Sequence, residues 1–154
     1  SEVFLDVPAL GQRFVALRGR GATRNNQPLT SETRALATSA CVSLCSRSIR
    51  VLQLKPDQRF PGKIRLFGVA SLNLVSVAMG QTIASLEATP KIWDLAAAWL
   101  VLDELGCPIR WLDADPAQLS PGEDVADLGF PVLAAGSWAH LARFLPWGEA
   151  LVQP

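Results

Sequence analysis

The 154-residue sequence carries few charges, no net charge and no long hydrophobic run. Its 14 basic residues are matched by 14 acidic ones and are spread along the chain, so it lacks the basic patch that is typical of nucleic-acid-binding proteins. No apolar stretch reaches the roughly 18 to 20 residues that a membrane-spanning helix needs. We therefore expect neither a nucleic-acid partner nor a membrane.

Cysteine and histidine are also scarce. The three cysteines, Cys41, Cys45 and Cys107, are odd in number and do not have the spacing of a metal site. We interpret them as free thiols and expect a cytoplasmic protein. His140 is the single histidine, and we expect it to cap or pack a helix rather than to catalyse.

Apolar residues, in contrast, are abundant. They make up 49% of the chain, the mean hydropathy is +0.24, and only 18% of the residues are charged. This composition is typical of a folded globular domain and excludes extensive disorder. The surplus of apolar residues has two interpretations: buried parallel strands and helices, or a surface that something else covers.

The first part of the chain, residues 1–36, predicts a β-hairpin and a turn segment from one sheet. Two alternating strands are separated by a Pro–Gly turn, and two shorter strands follow. An isolated hairpin is marginally stable, so it must pair with a sheet. Because the sequence begins at Ser1 in a strand-like stretch, we expect a fragment with an open sheet edge that favours a homo-oligomer. The predicted strands are residues 2–7, 12–18, 22–23 and 27–29.

The second part, residues 37–154, predicts an α/β domain with a mostly parallel or mixed sheet, because strands alternate with helices. A polar loop with several acids interrupts the alternation at residues 116–129. The predicted strands are residues 38–44, a buried strand at 64–67, 82–86, 109–112 and 132–135. The predicted helices are residues 46–54, 70–79, 93–105 and 138–145.

Two acids lie where α/β proteins place their ligands. Glu87 follows a predicted strand, and Asp94 lies in the first turn of the next helix. Ligands of such sheets gather beyond the carboxyl ends of the strands, and carboxylates suit a hard cation such as Mg²⁺. The alternatives remain that Asp94 only interacts with the helix dipole and that Glu87 is a solvated turn residue.

The segment around these acids carries a recognisable motif. Trp93, Asp94, Ala96 and Ala97 form a W-D-x-A-A core, followed by Glu104 to Cys107. This motif resembles the C-terminal metal-site signature of the inositol monophosphatase family. The family's glutamate seven positions before the aspartate is present as Glu87. Two positions depart from the signature, since Leu105 and Cys107 replace small residues.

A second segment, residues 65–80, is similar to the arginine, glycine turn and helix of the same family. The matching residues are Arg65, Gly68, Ala70, Leu72 and Gly80. Val69 replaces the usual hydroxyl residue, and Ser71 replaces an alanine. A strand–glycine–helix turn offers backbone N–H groups to anionic or hydroxyl ligands, although plain packing at Gly68 is the alternative.

Two further segments extend the resemblance over nearly the whole chain in collinear order. Residues 19–29 are similar to the family's G-x-G-A-x-x-N-x-x-P-[LI] turn, which is architectural. Residues 132–140 resemble the family's last strand and helix start. Residues 47–61 show no motif, although we expect substrate specificity to be determined there.

The resemblance implies the C-terminal α/β layer of an αβαβα fold, preceded by a hairpin from the first sheet. It implies a Mg²⁺-dependent phosphatase that hydrolyses small phosphate monoesters of the inositol phosphate or sugar phosphate type. Asp94 would then be a metal ligand and Glu87 would bind a substrate hydroxyl. The backbone at Gly68, Val69 and Ala70 would line the sugar or inositol side. No residue of this chain is assigned a catalytic role.

The family's main metal ligands are missing from this sequence. They come from an upstream glutamate and a D-P-[IL]-D-G-T motif, and neither is found here. A lone aspartate does not hold Mg²⁺, which demands near-octahedral oxygen coordination. We therefore expect this chain alone to be inactive and to need an N-terminal half. Two alternatives stay open: a non-catalytic binding or regulatory relative, and a structural domain that pairs with itself.

Overall fold

The computed structural model describes residues 1–30 and 40–154. In that part of the chain, nine strands form two sheets and four α-helices pack against them. None of these helices has the length and apolar character needed to cross a membrane. The strands are β1 Glu2–Val7, β2 Gln12–Leu17, β3 Gly21–Arg24, β4 Gln27–Pro28, β5 Cys41–Leu44, β6 Lys63–Arg65, β7 Ala84–Glu87, β8 Ile109–Trp111 and β9 Val132–Ala135. The helices are α1 Val51–Leu54, α2 Ala70–Ala78, α3 Ile92–Glu104 and α4 Trp138–Val152.

The first sheet is antiparallel and has the order β1-β2-β3-β4, which confirms the predicted hairpin and the two short strands after it. Asn25 and Asn26 connect β3 to β4 with positive φ angles of 48° and 64°. Two-residue hairpin turns with both φ angles positive favour asparagine, because its side chain tolerates this conformation. Among the described strands β1 lies at the sheet edge, and the expected homo-oligomer stays a prediction.

The second sheet is mixed and has the order β6-β5-β7-β9-β8. Strands β6, β5 and β7 are parallel, whereas β9 runs antiparallel to both β7 and β8. Every residue of β5, β7 and β9 is buried. A central strand buried on both faces explains the continuous apolar runs and the high apolar fraction of the chain. The predicted α/β class is therefore confirmed.

Two hydrophobic clusters lie on opposite faces of the second sheet. In β9, Val132 and Ala134 belong to the cluster formed with α2, α3 and the first sheet, whereas Leu133 and Ala135 pack against α4. This alternation follows from the two-residue period of a strand. The layers therefore run from the first sheet through the α2–α3 pair and the second sheet to α4. The predicted boundary after residue 36 lies outside the described residues and stays a prediction.

Helix α4 corrects one sequence prediction. We expected it to end at Leu145, and the next residue, Pro146, lacks a backbone N–H and disfavours a helix interior. The helix instead continues through Pro146 to Val152. Trp147 and Leu151 are buried against the second sheet, and this burial outweighs the local cost of the proline.

Strand β6 and the segment after β5 correct two more predictions. The strand expected at residues 64–67 lies at Lys63–Arg65, at a sheet edge, and it is mostly exposed rather than buried. The helix expected at residues 46–54 is a 3₁₀ turn at Ser48–Arg50 followed by the single turn of α1. Residues 38 and 39 of the strand predicted at 38–44 lie outside the described residues.

The glycine-rich turn between β2 and β3 is tied to the end of α3 by Glu104. The Glu104 carboxylate accepts hydrogen bonds from the backbone N–H groups of Gly19, at 2.8 Å, and Gly21, at 2.9 Å. These donors hold the pKa of Glu104 below its ordinary value. An acid at a helix C-terminus interacts unfavourably with the helix dipole, and the two charge-assisted hydrogen bonds offset this effect. The side chain thereby joins the first sheet to the helical layer.

Replacing Glu104 with alanine is expected to lower the melting temperature by a few degrees at pH 7. A carboxyl group whose pKa is depressed in the folded state stabilises the fold above its unfolded pKa. That contribution disappears as the pH falls through the folded pKa, so the difference in Tm should shrink at pH 3. Thermal unfolding followed by circular dichroism measures it, with the exposed Glu149→Ala as control. An equal loss at both pH values would contradict the charge-based explanation.

Candidate functional site

A cleft of about 350 Å³ opens at the carboxyl ends of the parallel strands β5, β6 and β7. This is the sheet edge at which the sequence predicted a site. All five predicted site residues line this cleft. They are Gly68, Val69, Ala70, Glu87 and Asp94. Sequence reasoning did not name the other cleft residues individually, although Arg47 begins the segment expected to determine substrate specificity. These residues are Cys45, Ser46, Arg47, Leu66, Asn73, Thr89 and Pro90.

Glu87 is the last residue of β7 and is only 2% exposed. It pairs in register with Val132 of the antiparallel strand β9, so its backbone is held from one side by the sheet. The interpretation of Glu87 as a solvated turn residue is therefore excluded. A buried acid needs hydrogen-bond partners, and the structure supplies them from two other elements.

Asn73 of α2 is the first of these partners. Its Nδ2 donates to Glu87 Oε1 at 2.6 Å and lies 3.4 Å from the carbonyl oxygen of Leu44, at the end of β5. Its Oδ1 accepts the backbone N–H of Phe67 at 3.1 Å. One buried amide thus connects the ends of β5 and β7 with the loop that leads to Gly68. The only sequence signal for this role is a polar residue within the apolar stretch of α2.

Cys45 is the second partner, because its thiol also hydrogen-bonds to Glu87. Burial nevertheless dominates and raises the pKa of Glu87 to about 7, while the hydrogen bonds from Asn73 and Cys45 lower it and the negative charge of Asp94 raises it. Near neutral pH the carboxyl group therefore exists in both protonation states. It can accept a hydrogen bond from a bound hydroxyl group or donate one to it.

Asp94 lies in the first turn of α3 and is half-buried. Its Oδ2 accepts the backbone N–H of Lys91 at 2.9 Å, which satisfies a group that has no partner within the helix. A negative charge at this end also favours the helix dipole. Asp94 thus stabilises the start of the helix, and it also lies on the cleft wall, where its role as a metal ligand stays a prediction.

The glycine turn forms the third part of the cleft. Gly68 has a φ of +83°, a conformation that other residues rarely adopt. It precedes Val69, which is extended and begins α2. The first backbone N–H groups of a helix lack intrahelical acceptors and can bind an anionic or hydroxyl ligand. Val69, where the family has a hydroxyl residue, is 54% exposed at the rim.

The described residues do not form a complete cation site. Within residues 1–30 and 40–154, no three His, Cys, Asp or Glu side chains are grouped closely enough to hold a metal ion. Asp94 and Glu87 share the cleft, and the charge of Asp94 raises the pKa of Glu87. A cation would relieve this repulsion. Asp94 therefore fits the role of one Mg²⁺ ligand that needs further ligands beside it.

Comparison with known proteins places this cleft in context. The sequence profile of the inositol monophosphatase family matches residues 4–144. The chain belongs to this family. The resemblance first seen around Trp93 and Asp94 is confirmed, and the match extends from the hairpin to α4. The predicted roles of the individual cleft residues stay predictions.

Two curated relatives and one solved structure show how far the similarity extends. The chain is 27% identical over 141 residues to an inositol-1-monophosphatase of Synechocystis, which covers 80% of this chain and 48% of the relative. It is 32% identical over 117 residues to the Nus factor SuhB of Xylella fastidiosa, covering 70% and 42%. An IMPase/NADP phosphatase crystallised with Mg²⁺ and phosphate superposes with a TM-score of 0.69 and 22% identity, covering 99% of this chain and 54% of that one. The chain thus spans about half the length of these relatives and shares their fold.

Proposed function

We propose that this chain forms the C-terminal part of a cytoplasmic Mg²⁺-dependent phosphatase that hydrolyses small phosphate monoesters of inositol or a sugar. The observation that carries the proposal is the convergence of Glu87, Asp94 and the Gly68 turn on one cleft at the carboxyl ends of parallel strands. The expectation of a cytoplasmic location rests on the cysteine count, which is odd and lacks the spacing of a metal site. The relatives' names support the reaction and substrate class, and one relative's structure contains both Mg²⁺ and phosphate.

The residues of this chain position the organic part of the substrate. Glu87 binds a hydroxyl group, and its mixed protonation state lets it act as acceptor or donor. The backbone N–H groups at Val69 and Ala70 bind a second polar group of the same ring. Leu66 and Val69 are exposed apolar side chains that line the cleft.

Mg²⁺ would supply the chemistry that these residues do not provide. Asp94 would hold the ion together with carboxylates from outside this sequence, and the ion, when bound, lowers the pKa of water and neutralises phosphate charge. The upstream glutamate and the D-P-[IL]-D-G-T motif of the family are absent from these 154 residues. We therefore assign no nucleophile or general base to this chain and propose that it is inactive alone.

A second candidate function is a non-catalytic binding or regulatory module. The similarity to a protein named as a Nus factor supports it. The replacements at Val69, Leu105 and Cys107 also support it, because they fall in the two segments that carry the family motifs. Titration of the protein with Mg²⁺ and inositol phosphate separates the two candidates, since a regulatory relative need not bind either ligand.

The test measures phosphate release from myo-inositol 1-phosphate with and without Mg²⁺. The 154-residue chain is expected to release no phosphate above the blank. Fused behind the first half of the Synechocystis relative, which supplies the missing half, it is expected to become active with Mg²⁺. Asp94→Asn in this fusion should lower the rate about a hundredfold, because a metal ligand is lost.

The control for this experiment is Asp57→Asn, which removes an exposed acid outside the cleft and should leave the rate unchanged. Mg²⁺-dependent release by the chain alone would refute the requirement for the missing ligands. A fusion that folds, judged by circular dichroism and gel filtration, but binds neither Mg²⁺ nor substrate would favour the regulatory module.

A further inference from the structure

A group of buried polar side chains lies between α2 and the second sheet. It consists of Ser43 on β5, Asn73 and Ser76 on α2, and Thr82 after the helix, and each of them is at most 2% exposed. The other buried residues of α2 are all apolar. Polar groups in an apolar interior cost free energy unless they are hydrogen-bonded, and hydrogen-bonded ones fix the geometry of the elements that they join. This group therefore positions α2 more strictly than apolar packing alone would.

The backbone carbonyl of Asn73 is the point at which these hydroxyl groups meet. Ser43 Oγ donates to it at 2.9 Å, and Ser76 Oγ donates to it at 2.5 Å. Thr82 Oγ1 lies 2.7 Å from Ser76 Oγ and extends the hydrogen-bonded group beyond the helix. Because hydrogen bonds are directional, the bond from Ser43 fixes the helix at Asn73 relative to β5.

The side chain of Asn73 then joins the two binding elements of the cleft. Its Nδ2 donates to Glu87 Oε1 at 2.6 Å, and its Oδ1 accepts the backbone N–H of Phe67, which precedes Gly68. Because both atoms belong to one planar amide group, the Glu87 carboxyl group and the start of the glycine turn keep a fixed separation. Asn73 borders the cleft but is only 1% exposed, and both ends of its amide are engaged. It therefore acts through these neighbours and not by contact with a ligand.

We propose that Asn73 is a positioning residue for recognition of the substrate ring, and that it holds Glu87 and the backbone N–H groups of the glycine turn at the separation that two hydroxyl groups of one ring require. The inference rests on the proposed function, because it places a hydroxyl-bearing ring between these two elements. Without the amide, both elements are still present but move independently. Binding of the ring must then order them, and this ordering lowers the affinity.

The experiment compares myo-inositol 1-phosphate with cyclohexyl phosphate as ligands of the 154-residue chain, by NMR-detected titration. Cyclohexyl phosphate has the same ring size and the same phosphate but no ring hydroxyl groups. For the unmodified chain we expect the inositol phosphate to bind about tenfold more tightly, because of the hydrogen bonds of its hydroxyl groups. Asn73→Leu, which branches at the same carbon but has no hydrogen-bonding group, should reduce this advantage to within about twofold. The dissociation constant of cyclohexyl phosphate should not change.

Asn73→Asp separates the two halves of the amide. Aspartate has the shape of asparagine and keeps the acceptor for the Phe67 N–H, but when ionised it has no donor for Glu87. Measured at pH 8, this variant should give a ratio between those of the unmodified chain and Asn73→Leu. A variant in which either half of the amide is dispensable would keep the full advantage.

The matched control is Leu74→Ala, which truncates the next buried residue of α2, destabilises the fold and should leave the ratio unchanged. The inference is overturned by equal binding of the two ligands to the unmodified chain, by no binding of either, or by a folded Asn73→Leu or Asn73→Asp variant that keeps the full advantage. An equal effect of Leu74→Ala also overturns it, because the ratio would then report stability alone. The phosphate-release assay tests the proposed function separately. If that assay fails and the Asn73-dependent ratio persists, the cleft still recognises a hydroxyl-bearing ring but the phosphatase proposal is wrong.

Discussion

Replacing Asn73 with alanine is expected to lower the free energy of unfolding by about 3 kcal/mol at pH 8 and by distinctly less at pH 5. Asn73 is 1% exposed and hydrogen-bonds to Glu87, Phe67 and Leu44. Alanine removes the amide donor from a buried carboxylate and leaves the Phe67 N–H without its acceptor. The carboxylate part of the cost requires Glu87 to be ionised, and its pKa is about 7.

Urea unfolding at the two pH values measures this difference. Leu74→Ala is the matched control, since it truncates a neighbouring buried residue of α2 that carries no polar group. Its loss, also about 3 kcal/mol, should be the same at both pH values. An Asn73→Ala variant that loses equal stability at pH 5 and pH 8 would show that Asn73 only fills space and does not hold Glu87.

The unmodified chain is expected to lose about 3 kcal/mol of stability between pH 4.5 and pH 7, and Glu87→Gln is expected to prevent this loss. Burial raises the pKa of Glu87 from the ordinary 4.5 to about 7. The folded state therefore binds the proton more tightly than the unfolded state, and stability falls as the pH rises through this interval. Each pH unit of difference is worth about 1.4 kcal/mol.

Glutamine keeps the shape of the protonated acid and can still accept the hydrogen bond from Asn73. Glu87→Gln should therefore match the unmodified chain near pH 4.5 and exceed its stability by about 3 kcal/mol at pH 8. Urea unfolding across this pH range measures the effect, and the exposed Glu123→Gln is the control. A variant that is less stable than the parent at pH 8 would mean that the ionised carboxylate is stabilising, contrary to the raised pKa.

Both expected results follow from the free-energy cost of burying an ionised Glu87. A buried acid that destabilises the fold at neutral pH, held by an amide from one helix and a thiol from a loop, is typical of a functional site rather than of a core. The amide of Asn73 also reaches the Phe67 backbone, so the acid and the glycine turn share one support. We therefore expect substitutions of Asn73 to affect ligand binding both at Glu87 and at the glycine turn.

Local patterns predicted much of the fold. Strand β9 was predicted with its correct bounds, and the hairpin, α2 and α3 were predicted to within one or two residues, because turn residues and apolar periodicity act over short distances. The prediction failed where distant contacts outweigh local preference. Helix α4 continues through Pro146 because Trp147 and Leu151 reach the sheet. Residues 46–54 lack a long helix, and no motif in the sequence indicates where they turn.

The family and the five predicted cleft residues could be identified from the sequence because the motifs around Gly68 and Asp94 are each contained in a short segment. The raised pKa of Glu87 could not be predicted from the sequence, because a pKa depends on neighbours that folding brings together from distant parts of the chain. Asn73 is 14 residues away in sequence, and Cys45 lies on another strand end. Residue identity and spacing are local properties, whereas burial and electrostatics arise from packing. Here packing buries Glu87, which the sequence places in a turn, and raises its pKa to about 7.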